Sequence, residues 1–259
     1  MLKKFYPPRP PKKTDSADMI FGIRAILETI RSGKTIDKLL LQKEGGSNSE
    51  TFKELIALAI EKNIPFQKVP VEKLDRVTTK NHQGAICFIS AVDYADLGNI
   101  LADVFEKGET PLILILDRIT DVRNFGAICR TAECTGVHAI VIPAKGSAQI
   151  TSDAVKTSAG ALNFLSVCRE EDLNKTVKFL QESGVQVVAC TEKTDDWLYK
   201  ADFTVPTAII LGSEEDGISD ELIRKADTLA SIPLIGKIGS LNVSVSAGVI
   251  LYEVVRQRK

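Results

Sequence analysis

Three polar loops of the 259-residue chain place side chains that could bind a ligand at points where predicted strands give way to helices. The first loop opens the segment 117–136, in which Asn124 stands at the entrance of a predicted helix and Arg130 lies on the first turns of that helix. The neighbours of Arg130 are apolar, so its guanidinium could act on a ligand. The alternative is an ordinary surface ion pair with Glu133 or Asp117.

The second loop lies in the segment 209–222, where a predicted strand ends at Gly212 and a new helix begins near Ser219. Glu214 is placed to face a ligand, and the two glycines of the loop, Gly212 and Gly217, allow the backbone to approach that ligand closely. The alternative is that these glycines only shape the turn between strand and helix.

The third loop lies in the segment 231–248, where Gly236 and Gly239 precede Ser240 and Asn242 at the start of the last helix. Taken alone, a Ser or an Asn at this place would be a helix N-cap. Open parallel sheets bind ligands at the carboxyl ends of their strands, so we expect the three loops to contribute to one binding site.

The chain holds little material for other kinds of catalytic site. His82 and His138 are its only histidines, which leaves almost nothing for a His-based metal site or a Ser-His-Asp triad. None of the five cysteines forms a CxxC pair, and no GxGxxG segment occurs. We therefore expect no metal site, no disulfide framework and no nucleotide-dependent oxidoreductase.

The apolar pattern predicts an α/β fold in which helices cover both faces of a parallel sheet. Runs typical of buried strands alternate with helical stretches and lie at 111–116, 138–143, 163–168, 185–190 and 206–211. The final segment, 241–258, is apolar on too many sides for a surface helix. We expect this helix deep in the domain or at a subunit interface.

The composition along the chain predicts four parts. Residues 1–15 form a basic, proline-rich arm, which is either a solvated tail or a segment that orders on a phosphate backbone. Residues 16–91 alternate helices and strands and predict a small α/β unit. Residues 92–108 predict a connecting helix, and residues 109–259 contain the parallel sheet.

The charge balance limits the possible partners. Lys and Arg number 33 and Asp and Glu number 34, so the net charge is −1 and any nucleic-acid contact must come from a local basic patch. No apolar run approaches the ~20 residues that span a bilayer, and the N-terminus lacks the apolar region of a secretory signal. We expect a cytoplasmic protein without membrane contact.

In chain order, the three loops resemble the three motifs of the SpoU/TrmH branch of the SPOUT RNA methyltransferases. The matching residues are, motif by motif, Asn124 and Arg130, then Gly212, Glu214 and Gly217, then Ile232, Pro233, Gly236, Ser240, Leu241, Asn242, Val243 and Ser244. The front unit, with His82, Gln83 and Gly84, is similar to a ribosomal-protein-like RNA-binding domain. That domain precedes the methyltransferase domain in bacterial enzymes that form 2′-O-methylguanosine in 23S ribosomal RNA.

The resemblance implies methyl transfer from S-adenosylmethionine to a ribose 2′-hydroxyl of RNA, without a metal. It also implies a C-terminal trefoil knot and a homodimer formed through the knot region. The implied cofactor site is lined by Thr191, Leu211, Gly212, Gly217, Ile232 and Leu241. The implied catalytic residues are Arg130, Asn124, Glu214, Ser240 and Asn242.

Two questions remain open within the resemblance. The arginine that matches Arg130 is proposed as a base in the family, but a guanidinium is charged up to a pKa above about 12 and can equally hold the target phosphate and stabilise the forming alkoxide. The front unit favours a guanosine of 23S ribosomal RNA as substrate. Transfer RNA is the alternative substrate, and a non-catalytic, ribosome-associated RNA-binding protein is the alternative to an enzyme.

Overall fold

The computed structural model describes residues 18–43 and 49–259, and the chain divides into two compact units, Met1–Ser90 and Ala91–Lys259. The basic arm predicted for residues 1–15 lies outside the described residues. Within the described ranges, no helix has the length and apolar character that crossing a bilayer requires.

The first unit is a four-stranded sheet with helices packed on it. Its elements are β1 (Met19–Phe21), α1 (Ile23–Arg31), β2 (Ile36–Gln42), α2 (Glu50–Glu61), β3 (Phe66–Val69), α3 (Val71–Val77) and β4 (Ala85–Ile89). The strand order is β1-β4-β2-β3, in which only the β2–β3 pair is parallel. Ser49 is the N-cap of helix α2, and its hydroxyl accepts a hydrogen bond from the backbone N–H of Phe52 at 3.2 Å.

The second unit is built on a seven-stranded parallel sheet. Its elements are β5 (Tyr94–Ala95), α4 (Leu97–Glu106), β6 (Leu112–Asp117), α5 (Val122–Cys134), β7 (Ala139–Pro143), α6 (Ser152–Thr157), β8 (Ser166–Glu170), α7 (Leu173–Glu182), β9 (Gln186–Cys190), β10 (Thr207–Gly212), α8 (Asp220–Lys225), β11 (Thr228–Ala230) and α9 (Val243–Arg258). The strand order is β11-β9-β10-β6-β7-β8-β5.

The direction of chain progression across this sheet changes between β6 and β10. After β6 the chain adds β7 and β8 on one side, then crosses to β9 and inserts β10 beside β6. The two strands end together, with Leu211 opposite Leu116 and Gly212 opposite Asp117. A crevice at such a switch point is where open α/β sheets bind ligands.

Helices cover both faces of the second sheet, which confirms the predicted fold class. One buried cluster joins the sheet to α5, α6 and α9, and a second joins the opposite face to α4, α7 and α8. Ala247, Ile250, Leu251 and Val254 bury one side of α9, whereas Val245 and Tyr252 on its other side are exposed. The trefoil knot stays a prediction.

The C-terminal end of α9 is fixed at the edge of the sheet opposite the predicted site. Arg258 donates hydrogen bonds of 2.8–3.0 Å to the carbonyls of Phe203, Thr110, Pro111 and Val205, which flank the starts of β6 and β10. Burial of the guanidinium lowers its pKa from the usual value. This anchor sets the position of α9 along the sheet.

The structure differs from the sequence prediction at several strands and at one connection. The strand predicted at 163–168 begins only at Ser166, because Gly160 is left-handed (φ 87°) and residues 161–163 form a 3-10 turn. The connecting segment 92–108 is part of the second unit rather than a separate linker, since β5 pairs with β8 and Leu97 and Leu101 are buried against the sheet. The short edge strands β1, β5 and β11 were not predicted.

Candidate active site

A cavity of about 440 Å³ lies at the carboxyl ends of β9 and β10. This volume falls within the range of small-molecule sites. All six residues expected at a cofactor site line it, together with two of the expected catalytic residues: Thr191, Leu211, Gly212, Gly217, Ile232 and Leu241, with Glu214 and Ser240. Three segments distant in sequence therefore form one cavity, and the roles of these residues stay predictions.

The loop 213–217 is a closed turn that only glycine permits at its base. A Cβ on Gly212 would lie 2.0 Å from the carbonyl carbon of Gly217 and 2.1 Å from the nitrogen of Ile218. The backbone of Ser213 and Gly217 exchanges two hydrogen bonds of 3.2 and 3.0 Å, and Gly217 has a φ of 66°. The two glycines therefore shape the turn between strand and helix, and this turn forms one wall of the cavity.

Glu214, Asn242 and Asn124 meet beside this cavity. The amide nitrogen of Asn242 donates to Oδ1 of Asn124 at 3.1 Å and also to Oε1 of Glu214. The same carboxylate oxygen accepts from the backbone N–H of Val243 at 3.4 Å. One side chain from each of the three predicted loops thus forms a single hydrogen-bonded cluster.

Helix starts hold two members of this cluster in place. Asn242 is the N-cap of α9, and its Oδ1 accepts hydrogen bonds from the backbone N–H and the hydroxyl of Ser244 at 3.0 and 2.6 Å. Asp121 is the N-cap of α5, and its carboxylate accepts from the backbone N–H of Arg123 and Asn124. Asn242 is therefore a helix N-cap, as one interpretation of the sequence predicts. Its Oδ1 caps α9, and its amide nitrogen bonds to the cluster.

Arg130 lies outside this cluster. Helix α5 begins at Val122, so Arg130 is in its third turn rather than its first turns, about 9 Å along the axis from Asn124 and roughly 120° around it. Its side chain is exposed rather than surrounded by apolar groups, which corrects the expectation from sequence.

The expected ion pairs of Arg130 do not form either. Neither Glu133 nor Asp117 bonds to it, and Asp117 instead accepts from the backbone N–H of Ser219 at 2.7 Å. Among the described residues the guanidinium has no hydrogen-bonding partner, and the same holds for the exposed hydroxyl of Ser240. Both groups can therefore reach a ligand without breaking a contact.

The cavity favours a ligand with a positive charge and apolar parts. Four carboxylates line it, those of Glu192, Glu214, Glu215 and Asp216. The one lysine in the lining, Lys193, is paired with Asp220 at 3.1 Å. Leu211, Ile232, Leu234 and Leu241 supply apolar walls. A sulfonium cofactor that carries an adenosine group fits this combination.

Two groups at the site were not among the site residues predicted from sequence. Burial raises the pKa of the Cys190 thiol in the cavity wall to about 12, so this thiol stays protonated near neutral pH. Arg118, directly after β6, contacts the loop 213–217 and was missed because an arginine after a strand carries no signal of its own.

In the described parts of the chain, no group of three or more His, Cys, Asp or Glu could hold a metal ion.

Two family models match the two units. One, described as the SpoU rRNA Methylase family, matches residues 111–252, more than half of the chain. This chain belongs to the SpoU methylase family. The second model, described as RNA 2′-O ribose methyltransferase substrate binding, matches residues 19–95 in front of the SpoU domain. The predicted family, with its RNA 2′-O-methyltransferase activity, is therefore confirmed.

Relatives of this SpoU protein span almost its full length. A Bacillus subtilis protein described as a putative TrmH family tRNA/rRNA methyltransferase, YacO, is 35% identical over 93% of this chain and 96% of its own. The crystal structure of the SpoU methyltransferase AviRb from Streptomyces viridochromogenes, in complex with AdoMet, has a TM-score of 0.59 and 25% identity, covering 93% of this chain and 90% of AviRb.

A further structural neighbour covers less of the SpoU protein. The TrmH/SpoU tRNA modifying enzyme from A. aeolicus is 31% identical with a TM-score of 0.53, covering 62% of this chain and 84% of its own. S-adenosylmethionine, the cofactor expected from sequence, is the methyl donor of SpoU methyltransferases and is present in AviRb, which confirms that prediction.

Proposed function

We propose that this SpoU methyltransferase methylates a ribose 2′-hydroxyl of ribosomal RNA, most specifically a guanosine of 23S ribosomal RNA. The observation that carries the proposal is the cluster of Asn242, Glu214 and Asn124 at the edge of the cavity. The cluster places fixed polar groups where a bound cofactor and an incoming ribose would meet.

The cofactor side of the site uses backbone and apolar groups. S-adenosylmethionine supplies an activated methyl group on a sulfonium, so the protein has to orient the reactants more than to activate the donor. Leu211, Ile232 and Leu241 would flank the adenosine part, and Thr191, Gly212 and Gly217 would supply backbone contacts at the strand ends. The carboxylates of the lining favour the positive charge.

On the side of the site where the ribose acceptor would bind lie the cluster and two groups without a partner among the described residues, Ser240 and Arg130. Asn242 holds the Glu214 carboxylate in a defined position, and Ser240 presents its hydroxyl at the cavity. The Arg130 guanidinium has no partner among the described residues and is free to bind the RNA phosphate. We assign it the electrostatic role of stabilising the alkoxide that forms as the 2′-hydroxyl loses its proton, since a guanidinium remains charged near neutral pH.

The front unit supports ribosomal over transfer RNA. The tRNA-modifying neighbour from A. aeolicus and a neighbour described by 2′-OH methylation of C/U34 on tRNA cover only 62% and 57% of this chain. The substrate-binding model, in contrast, matches residues 19–95 here. A separate RNA-binding unit of this kind suits a folded ribosomal RNA target.

We also propose a homodimer that forms through the region of α9 and the loop before it. Large apolar side chains are exposed there, with Ile235 fully exposed and Ile238 77% exposed. Leu234, Leu241, Val245 and Tyr252 extend this apolar surface. An exposed apolar surface of this extent is typical of a protein–protein interface. The cytoplasmic location stays a prediction from the sequence.

The experiment is methyl transfer from radiolabelled S-adenosylmethionine to RNA pools from cells that lack this gene. The pools are protein-free 23S ribosomal RNA, 16S ribosomal RNA, bulk transfer RNA and assembled ribosomal subunits. Label in 23S RNA alone supports the proposal, whereas label only in transfer RNA selects the alternative substrate. Cofactor binding without label in any pool, assembled ribosomal subunits included, would favour a binding role.

A further inference from the structure

Arg118 adopts a backbone conformation that a non-glycine residue rarely takes. It follows the last residue of β6 and has a φ of 60°, in the left-handed region. This conformation is unfavourable for a side chain with a Cβ, so it persists only where surrounding contacts stabilise it. The hydrogen bonds of the Arg118 side chain are contacts of this kind.

The side chain of Arg118 reaches across to the loop 213–217 that forms one wall of the cofactor cavity. Its Nη2 donates to the carbonyl of Gly217 at 3.1 Å, and its Nη1 lies 3.4 Å from the carboxylate of Asp216. Its Nε donates to Asp117 at 3.3 Å. The guanidinium thus bonds to the wall itself and to the strand end beside it.

Asp117 holds the chain directly after the same loop. Its side chain is nearly buried, and it accepts a hydrogen bond from the backbone N–H of Ser219 at 2.7 Å. Asp117 and Arg118 therefore hold the C-terminal end of the loop, at Asp216, Gly217 and the following Ser219. The same loop carries Glu214, which contacts Asn242 and the N-terminus of α9.

We propose that Arg118 is a positioning residue that keeps the loop 213–217 in the shape that binds S-adenosylmethionine and aims Glu214 at Asn242. The inference deepens the proposed function and rests on the cavity being the cofactor site. The guanidinium acts through the loop, because its hydrogen bonds are directed at protein groups.

The first variant is Arg118→Gly, because glycine suits a φ of 60° and removes the whole side chain. We expect its melting temperature to equal or exceed that of the wild type, while the Kd for S-adenosylmethionine rises at least tenfold by calorimetry. Hydrogen exchange of the cofactor-free protein should accelerate in residues 211–219. Arg118→Asn, which also tolerates the left-handed region, should reproduce the loss of affinity if the glycine variant folds poorly.

Two further variants separate positioning from general charge. Arg118→Lys retains one cation and should restore part of the affinity. Arg224→Ala removes an exposed arginine of α8 and should change neither the Kd nor the exchange rates. All readouts use the full chain without RNA, so failure of the wild type to bind S-adenosylmethionine would refute the proposed site. Wild-type binding with an unchanged Kd and unchanged exchange in Arg118→Gly and Arg118→Asn would refute the role of Arg118.

Discussion

The side-chain amide of Asn242 donates a hydrogen bond to Oδ1 of Asn124 at 3.1 Å, across 118 residues of sequence. The same nitrogen donates to Glu214, so one amide joins the starts of α5 and α9 to the loop after β10. The two donated bonds require nitrogen at this position. An oxygen there would face the oxygen of Asn124 and the carboxylate of Glu214.

Asn242→Asp tests that requirement with little change of size. We expect kcat for methyl transfer to fall by about two orders of magnitude, because a carboxylate next to Glu214 introduces like charges and ends the donation to Asn124. Oδ1 can still cap α9, so the melting temperature should change little. Asn99→Asp, at an exposed position of α4, is the matched control and should retain activity. Wild-type kcat in Asn242→Asp would remove the cluster from the mechanism.

Arg130→Ala separates binding of the cofactor from transfer of the methyl group. The guanidinium is exposed and does not line the cavity, so the Kd for S-adenosylmethionine should stay within about twofold of the wild-type value. Transfer should fall by at least about a hundredfold, since charge stabilisation of the acceptor is lost. Single-turnover rates at saturating cofactor provide the measurement. Near-normal transfer would exclude a catalytic role for Arg130.

Gly212→Ala tests the closed turn. The added methyl group would lie 2.0–2.3 Å from backbone atoms of Gly217 and Ile218, which cannot move as a flexible side chain can. We expect loss of cofactor binding and a decrease of about 1–3 kcal/mol in the free energy of unfolding, measured by urea titration. Gly236→Ala is the stability control, because no atom lies within 4 Å of its added Cβ. Full affinity in Gly212→Ala would show that the turn can be rebuilt without consequence.

Glu253 on α9 predicts a pH dependence of stability. Its buried carboxylate accepts hydrogen bonds from Arg256 at 2.7 and 2.8 Å and from Gln257 at 2.8 Å, and these lower its pKa below the usual 4.5. A lowered pKa in the folded state means that the ionised form stabilises the fold above pH 4.5. This contribution is lost as the pH falls through the lowered folded-state pKa.

Replacement of Glu253 by Gln should therefore destabilise the protein at pH 7 by about 1–3 kcal/mol and do so much less at pH 3. Urea unfolding of both proteins between these pH values gives the difference directly. Glu133→Gln, at an exposed position of α5, should show no such pH dependence. A difference between wild type and Glu253→Gln that stays constant with pH would contradict the linkage.

Sequence predicts best those parts of the fold that burial alone determines. Strands β6 and β10 are buried on both faces, so their apolar runs locate them to within one residue. Strands β5 and β11 have only two and three residues, too few for any pattern to stand out. The start of β8 depends on a left-handed Gly160 and a 3-10 turn, which apolar runs do not encode.

The site likewise contains residues that sequence predicts and contacts that it does not. Gly212, Glu214 and Asn242 stand in motifs, so their segments could be found, whereas the bonds between them depend on the order of strands in the sheet. Arg118 could not be found, because its left-handed conformation and its contact with Gly217 arise only from tertiary structure. Arg130 lies in the third turn of α5 because the helix begins at Val122, earlier than predicted, and it is exposed because other residues of α5 form the face that packs inward.

The most direct test of the account asks whether the methyl group goes to a ribose 2′-hydroxyl. Once the labelled nucleotide of 23S ribosomal RNA is mapped, two RNA fragments are compared that differ only by a 2′-deoxyribose at that nucleotide. We predict labelled, alkali-resistant dinucleotides from the unmodified fragment and no transfer to the deoxy fragment. Equal label in both fragments would place the methyl group on the base and contradict the proposed function.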